Sequence, residues 1–168
     1  MQPKCFLNRG HAGQVLAQAL MRYAFRKDVL ILGLPRGGVP VAYEVAEALH
    51  APLDVMVVRK LGVPGWEELA MGAIASGGIR VMNEDVVLAT AVSPEAIEQA
   101  ITIQQKELER REMLYRGHTR APQMTGKTVI LVDDGIATGA SICAAIKAIR
   151  SQAPGQLIVA VPVAAAET

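Results

Sequence analysis

Two adjacent carboxylates, Asp133 and Asp134, follow directly on the apolar run Val129 to Val132 and precede a turn of small residues, Gly135 to Ser141, that leads into a helix. A run of β-branched and aliphatic residues reads as a parallel strand buried on both faces, so the acids fall at its C-terminal end. That edge of an open α/β sheet is where ligands bind, because the loops leaving it carry helix N-termini. Gly135 and Gly139 permit close backbone approach, and Thr138 and Ser141 add hydroxyls beside helical N–H groups that lack intrahelical partners, a combination suited to phosphate. Two acids cannot hold that phosphate as well. They accept hydrogen bonds from the hydroxyls of a sugar lying beside it, or bind a hydrated metal. Phosphate on one side and a diol on the other suggest a ribose 5-phosphate unit. A lone Asp-Asp-Gly would fit an ordinary strand-to-helix turn with solvated caps, but the pattern from Val129 to Ser141 is more specific than that.

A second constellation lies upstream. Val29 to Gly33 reads as another buried strand, followed by Arg36, Gly37 and Gly38 and then an apolar helical pattern through Ala42, Val45, Ala46 and Leu49, with Pro40 suited to the first turn. A diglycine at a helix start, beside an arginine, offers a second anion site. On its own Arg-Gly-Gly is more often a plain turn. Further on, Leu53 to Val58 continues the sheet, and Arg59 and Lys60 leave it at the same edge, where their charge can reach an anion. Solvated charges at a strand end are the simpler alternative for this pair.

The Val129–Ser141 segment resembles the phosphoribosyl-pyrophosphate (PRPP) signature of type I phosphoribosyltransferases: four apolar residues, two acids, a short variable stretch, then Thr-Gly-x-Thr/Ser. Gly135 stands where an aliphatic residue or Ser is common and adds flexibility there. The resemblance covers most of the chain and is nearest to a group of stand-alone bacterial phosphoribosyltransferase-like proteins. It implies an enzyme of nucleotide metabolism that transfers the phosphoribosyl group from PRPP to a nitrogen acceptor such as a nucleobase, with Mg²⁺ as cofactor. Gly135, Ala137, Thr138, Gly139, Ala140 and Ser141 would bind PRPP together with Asp133 and Asp134. Arg36, Gly37, Gly38, Arg59 and Lys60 would take the pyrophosphate, and Asp133, Asp134 and Lys60 would be catalytic. Which residues ligate the metal is left open.

Leu61 to Leu69 is then the expected mobile lid, with Gly62, Pro64 and Gly65 preventing regular structure and Trp66 within it. Many relatives carry an extra basic residue in this lid; none follows Lys60 here, and Glu67 and Glu68 are the only acids in it. A sensor on the same fold, keeping PRPP or nucleotide binding without transfer, is the main alternative, and a hydrolase of phosphoribosyl compounds a third. The acceptor is not legible, since no segment resembling a base-reading hood stands out.

The remaining chain must position these loops. Its 168 residues, 51% hydrophobic and only 4% aromatic, suit one phosphoribosyltransferase-like domain with an Ala/Val/Ile-rich interior. The expected fold is α/β, mainly a parallel sheet flanked by helices, with an antiparallel hairpin over Met71–Ala75 and Ile79–Met82. The spacing predicts helices over Gly13–Phe25, from Ser93 and Pro94 to Arg116, and over Ile142–Ile149; Gly117 to Lys127 reads as a loop and Leu157 to Val161 as a last strand. The end after that strand, without a closing helix, reads as either a compact version or a truncated chain. A net charge of +1 gives no nucleic-acid footprint. Cys5 and Cys143 are expected to be reduced, with Cys143 a buried thiol, and His11, His50 and His118 lack metal spacing. No apolar run approaches membrane length. The expectation is a cytoplasmic homo-oligomer acting on small molecules, with neither nucleic acid nor membrane as partner.

Overall fold

A computed structural model describes residues 6–136 and 139–165. The chain packs into two compact units: one of residues 1–55, 122–139 and 152–168, the other of residues 56–121 and 140–151.

The first unit is built on a four-stranded parallel sheet in the order β2-β1-β6-β7, with β1 at Val29–Gly33, β2 at Leu53–Val55, β6 at Thr128–Val132 and β7 at Gln156–Ala160. Helices α1 (Arg9–Leu20) and α2 (Gly38–Leu49) accompany it. All residues of β1 and β6 are buried, which is why both read as unbroken apolar runs and not as alternating ones. Val29, Ile31, Ile130 and Val132 pack with Val41, Ala42, Val45 and Leu49 of α2 into one core, each large aliphatic side chain contributing about 1.5–3 kcal/mol by leaving water. Helix α1 crosses α2 closely: a Cβ on Gly13 would stand 2.7 Å from the Val41 carbonyl and 2.8 Å from Glu44 Cβ. Asn8 caps α1 by accepting from the His11 N–H at 2.9 Å, so the helix starts four residues before the expected Gly13 and ends at Leu20, followed by a 3₁₀ turn over Met21–Tyr23.

The second unit holds an antiparallel sheet, β3-β4-β5, and three helices. Leu53 to Val58 is not one strand: β2 stops at Val55, and β3 (Val58–Val63) belongs to the antiparallel sheet. The expected irregular lid is also regular structure. β3 turns at Pro64–Gly65 into β4 (Trp66–Ala75), and register shifts between Leu61 and Val63 absorb Gly62. Pro64 and Gly65 had marked a tight turn, not a loop. The Met71–Ala75 to Ile79–Met82 hairpin is present as β4 and β5 (Ile79–Met82). Helix α3 (Glu84–Thr90), short and without buried residues, was not legible, whereas α4 (Pro94–Arg116) starts as expected, with Ser93 Oγ accepting from the Ala96 N–H. Helix α5 (Ala140–Ser151) packs on β3, β4 and β5. Cys143 on it is an exposed free thiol, not a buried one. Among the described residues no helix is long and apolar enough to cross a membrane.

At the strand starts opposite the carboxylates, Asp28 accepts from Arg26 Nε at 3.1 Å and from the buried Thr128 hydroxyl at 2.9 Å. These bonds, Arg26 first, hold the Asp28 carboxyl down at about 2. A depressed native value stabilises the fold above the unfolded value near about 4 and is lost as pH falls toward the native one. Urea unfolding of wild type and Asp28→Asn should therefore show a stability gap that is full above about pH 5 and closes toward pH 2; a gap independent of pH would remove this role.

Candidate functional site

Parallel pairing of β1 with β6 aligns Gly33 with Val132, so the loops after both strands leave the sheet side by side. Leu34 N–H extends the pairing by donating to the Val132 carbonyl at 2.9 Å. On one side the chain runs through Arg36, Gly37 and Gly38 into α2, with a cis peptide between Pro35 and Arg36. On the other it runs through Asp133 and Asp134.

The two loops nearly touch. A Cβ on Gly37 would overlap the Asp134 carboxylate, and one on Gly38 would lie 2.8 Å from both Asp133 Cα and the Val132 carbonyl. Gly38 is therefore required by the neighbouring backbone and Gly37 makes room for the Asp134 carboxylate, reasons beyond the anion cradle expected from sequence. The cradle itself is narrower than expected, since Gly38 N–H donates to the Leu34 carbonyl at 2.9 Å. Arg36 is exposed at the mouth.

Asp133 is half-buried, and burial pushes its carboxyl above the ordinary aspartate value, with the neighbouring Asp134 charge adding to the rise. The Asp134 N–H donates to Asp133 Oδ1 at 2.8 Å and works in the opposite direction. Asp134 has a partner that sequence reasoning missed. Arg9, at the start of α1, donates to Asp134 Oδ2 through Nε at 2.8 Å, and a terminal guanidinium nitrogen forms an ion pair with the same oxygen at 2.8 Å. Nothing in the local sequence around Arg9 signals this, because the pair spans the chain and depends on how α1 crosses α2.

A Cβ on Gly135 would come within 2.9 Å of Val163 Cγ2, so Val163 lies close against the turn. The chain after β7 runs alongside, with Ile136 N–H donating to the Val163 carbonyl and Ala165 N–H to the Ile136 carbonyl, both at 3.1 Å. Ala137 and Thr138 lie outside the described residues. Gly139 has φ 71°, Ala140 opens α5, and Ser141 is exposed.

Arg59 and Lys60 belong to the second unit and point to opposite sides of β3. Arg59 Nε donates to Gln104 Oε1 of α4 at 2.9 Å. Lys60 lines a cavity of about 210 Å³ with Gly72, Met82, Asn83, Cys143 and Lys147. Among the described residues no group of three or more His, Cys, Asp or Glu side chains could cage a metal. Adjacent carboxylates suit Mg²⁺ all the same, since this ion keeps most of its waters and takes other oxygens from a phosphorylated substrate.

A model of the phosphoribosyl transferase domain matches residues 8–168. The chain belongs to that family. It is 51% identical over 161 residues to proteins of two Mycobacterium tuberculosis strains, CDC 1551 / Oshkosh and H37Rv, each named "Putative phosphoribosyl transferase". The match takes in 95% of this chain and 36% of each relative, so the chain spans about a third of the length of these curated relatives. The crystal structure of TT1426 from Thermus thermophilus superimposes with a TM-score of 0.85 at 41% identity, covering 98% of this chain and 77% of that one. A purine phosphoribosyltransferase from Pyrococcus horikoshii Ot3, 18% identical with a TM-score of 0.52 over 91% of this chain and 70% of that one, shares the fold. The fold is that of the type I phosphoribosyltransferases.

The two glycines are expected to differ on substitution. Gly38→Ala meets backbone and should cost about 1–3 kcal/mol in urea unfolding. Gly37→Ala meets only a side chain, so its unfolding midpoint should stay near wild type while the Asp134 carboxylate is displaced. Equal losses from both would contradict the described approach of the loops.

Proposed function

We propose that this chain binds PRPP with Mg²⁺ and transfers its phosphoribosyl group to a nitrogen acceptor, such as a nucleobase, releasing pyrophosphate. One observation carries the reading: the carboxylates after β6 lie directly against the diglycine loop after β1. A ribose held by Asp133 and Asp134 then has its C1 substituent beside Arg36 and Gly37. As the C1–O bond to pyrophosphate loosens, positive charge grows on the ring, and two fixed carboxylates stabilise it more than they stabilise the ground state. The acceptor nitrogen donates its lone pair to C1 while pyrophosphate departs with the bonding electrons. Bound Mg²⁺ would neutralise charge on the leaving group. The turn through Ala137, Thr138, Gly139, Ala140 and Ser141 would hold the 5-phosphate, with Gly135 shaping its approach and Lys60 and Arg59 adding charge at the pyrophosphate. The family membership and the names of the Mycobacterium tuberculosis relatives support this reading.

A PRPP sensor without transfer is the second reading, favoured by the β3–β4 hairpin, where no basic residue occurs from Leu61 to Leu69. Calorimetry with Mg²⁺ and PRPP, followed by pyrophosphate release against a panel of bases, separates the two. We expect saturable binding that a chelator abolishes, and release with at least one base. Binding without release from any base would leave the sensor, and no binding would end both readings.

Asp133→Asn tests the chemistry. An acid whose native value is raised is destabilising once ionised, that is, as pH climbs through the unfolded value and on through the native one. At neutral pH the variant should unfold no more easily than wild type, yet lose rate by roughly 100-fold and affinity much less. A loss confined to affinity would argue against a charged transition state.

Trp66 is the only tryptophan and is 62% exposed beside the Pro64–Gly65 turn. If the hairpin closes over the ligand, its emission should shift to shorter wavelength on a saturable curve with PRPP and Mg²⁺. Unchanged emission at ligand saturation would remove the hairpin from the site.

A further inference from the structure

Arg9 is bonded to a carboxylate that the proposed reaction needs for another purpose. Both of its contacts fall on Asp134 Oδ2, at 2.8 Å each. Ribose hydroxyls donating to Asp134 must compete with a charged donor on that oxygen. The same carboxylate would overlap any Cβ on Gly37, so the guanidinium is tethered at the rim of the diglycine loop, the proposed pyrophosphate cradle. Arg9 is 60% exposed, open to an incoming ligand, and its planar fork matches phosphate oxygens better than an ammonium would. Its backbone is fixed from both directions: Asn8 caps the helix one residue before it, and the close Gly13 crossing seats α1 on α2.

We propose that Arg9 is a ligand-binding residue of this site that passes from Asp134 to the pyrophosphate group when PRPP binds. The inference rests on the phosphoribosyl transfer reading, and specifically on Arg36, Gly37 and Gly38 as the pyrophosphate loop. The exchange releases Asp134 to the ribose hydroxyls and brings a cation to the leaving group in one movement, so the two ends of the ligand favour each other's binding. Ribose 5-phosphate, which has the diol but no pyrophosphate, displaces Arg9 without offering it a new partner. Arg9 thereby discriminates between the two ligands.

Calorimetry of pyrophosphate, PRPP and ribose 5-phosphate, each with Mg²⁺, on wild type, Arg9→Gln and Arg9→Lys tests this. Arg9→Gln should weaken pyrophosphate and PRPP roughly tenfold or more and leave ribose 5-phosphate unchanged or tighter. Arg9→Lys should recover part of the loss. A purely structural tie between α1 and the loop would instead lower the unfolding midpoint in both variants and change all three affinities in proportion, which would overturn the proposal. Unaltered pyrophosphate and PRPP affinities in Arg9→Gln would also overturn it, while leaving phosphoribosyl transfer intact. Failure of wild type to bind PRPP would overturn both.

Discussion

The site depends on one steric constraint, the near contact between the loop after β1 and the loop after β6. Parallel pairing brings the strand ends into alignment, and the absence of a β-carbon at Gly38 lets the two backbones approach, while its absence at Gly37 leaves room for the Asp134 carboxylate. The buried aliphatic core beneath β1, β6 and α2 fixes the strand positions, and its rigidity makes a gap of this kind meaningful. A pair of carboxylates and an anion loop separated by a few ångströms more would be two unrelated surface features.

The electrostatics are arranged around that contact. Asp133 sits partly out of water and has its carboxyl raised by burial, while Asp134 beside it is balanced by Arg9 from a distant part of the chain. Neighbouring carboxylates repel, and a low-dielectric setting increases the repulsion. Arg9 and the Asp134 N–H bonded to Asp133 relieve it, so both acids can be kept at the strand end where a cationic ring would form.

How much of this was legible follows from how local each signal is. The β1 and β6 strands, the Ser93 cap of α4 and the β4–β5 hairpin are written in short windows, as apolar runs, a capping residue or a diglycine turn, and each is found in the structure. The β3–β4 hairpin was hidden because Gly62 argues against a strand locally while cross-strand pairing, with a register shift, overrides it, and because Pro64 and Gly65 form the turn between the strands. Arg9 was invisible for a different reason: its partner stands 125 residues away, and only the crossing of α1 on α2 brings them together. The exposed Cys143 shows the limit of a default by residue type, since a thiol on an amphipathic helix can face either way.

The strip of chain from Val163 to Ala165, hydrogen-bonded along Ile136, has a bearing on biosynthesis. Contacts that join residues close in sequence can form while a chain is still emerging, whereas this clamp waits for the segment that follows β7. The carboxylate turn thus receives this support only once the residues after β7 have been synthesised. A nascent chain halted before β7 would lack the brace beside Gly135, so support of the binding loop depends on a strand that the loop precedes in the sequence.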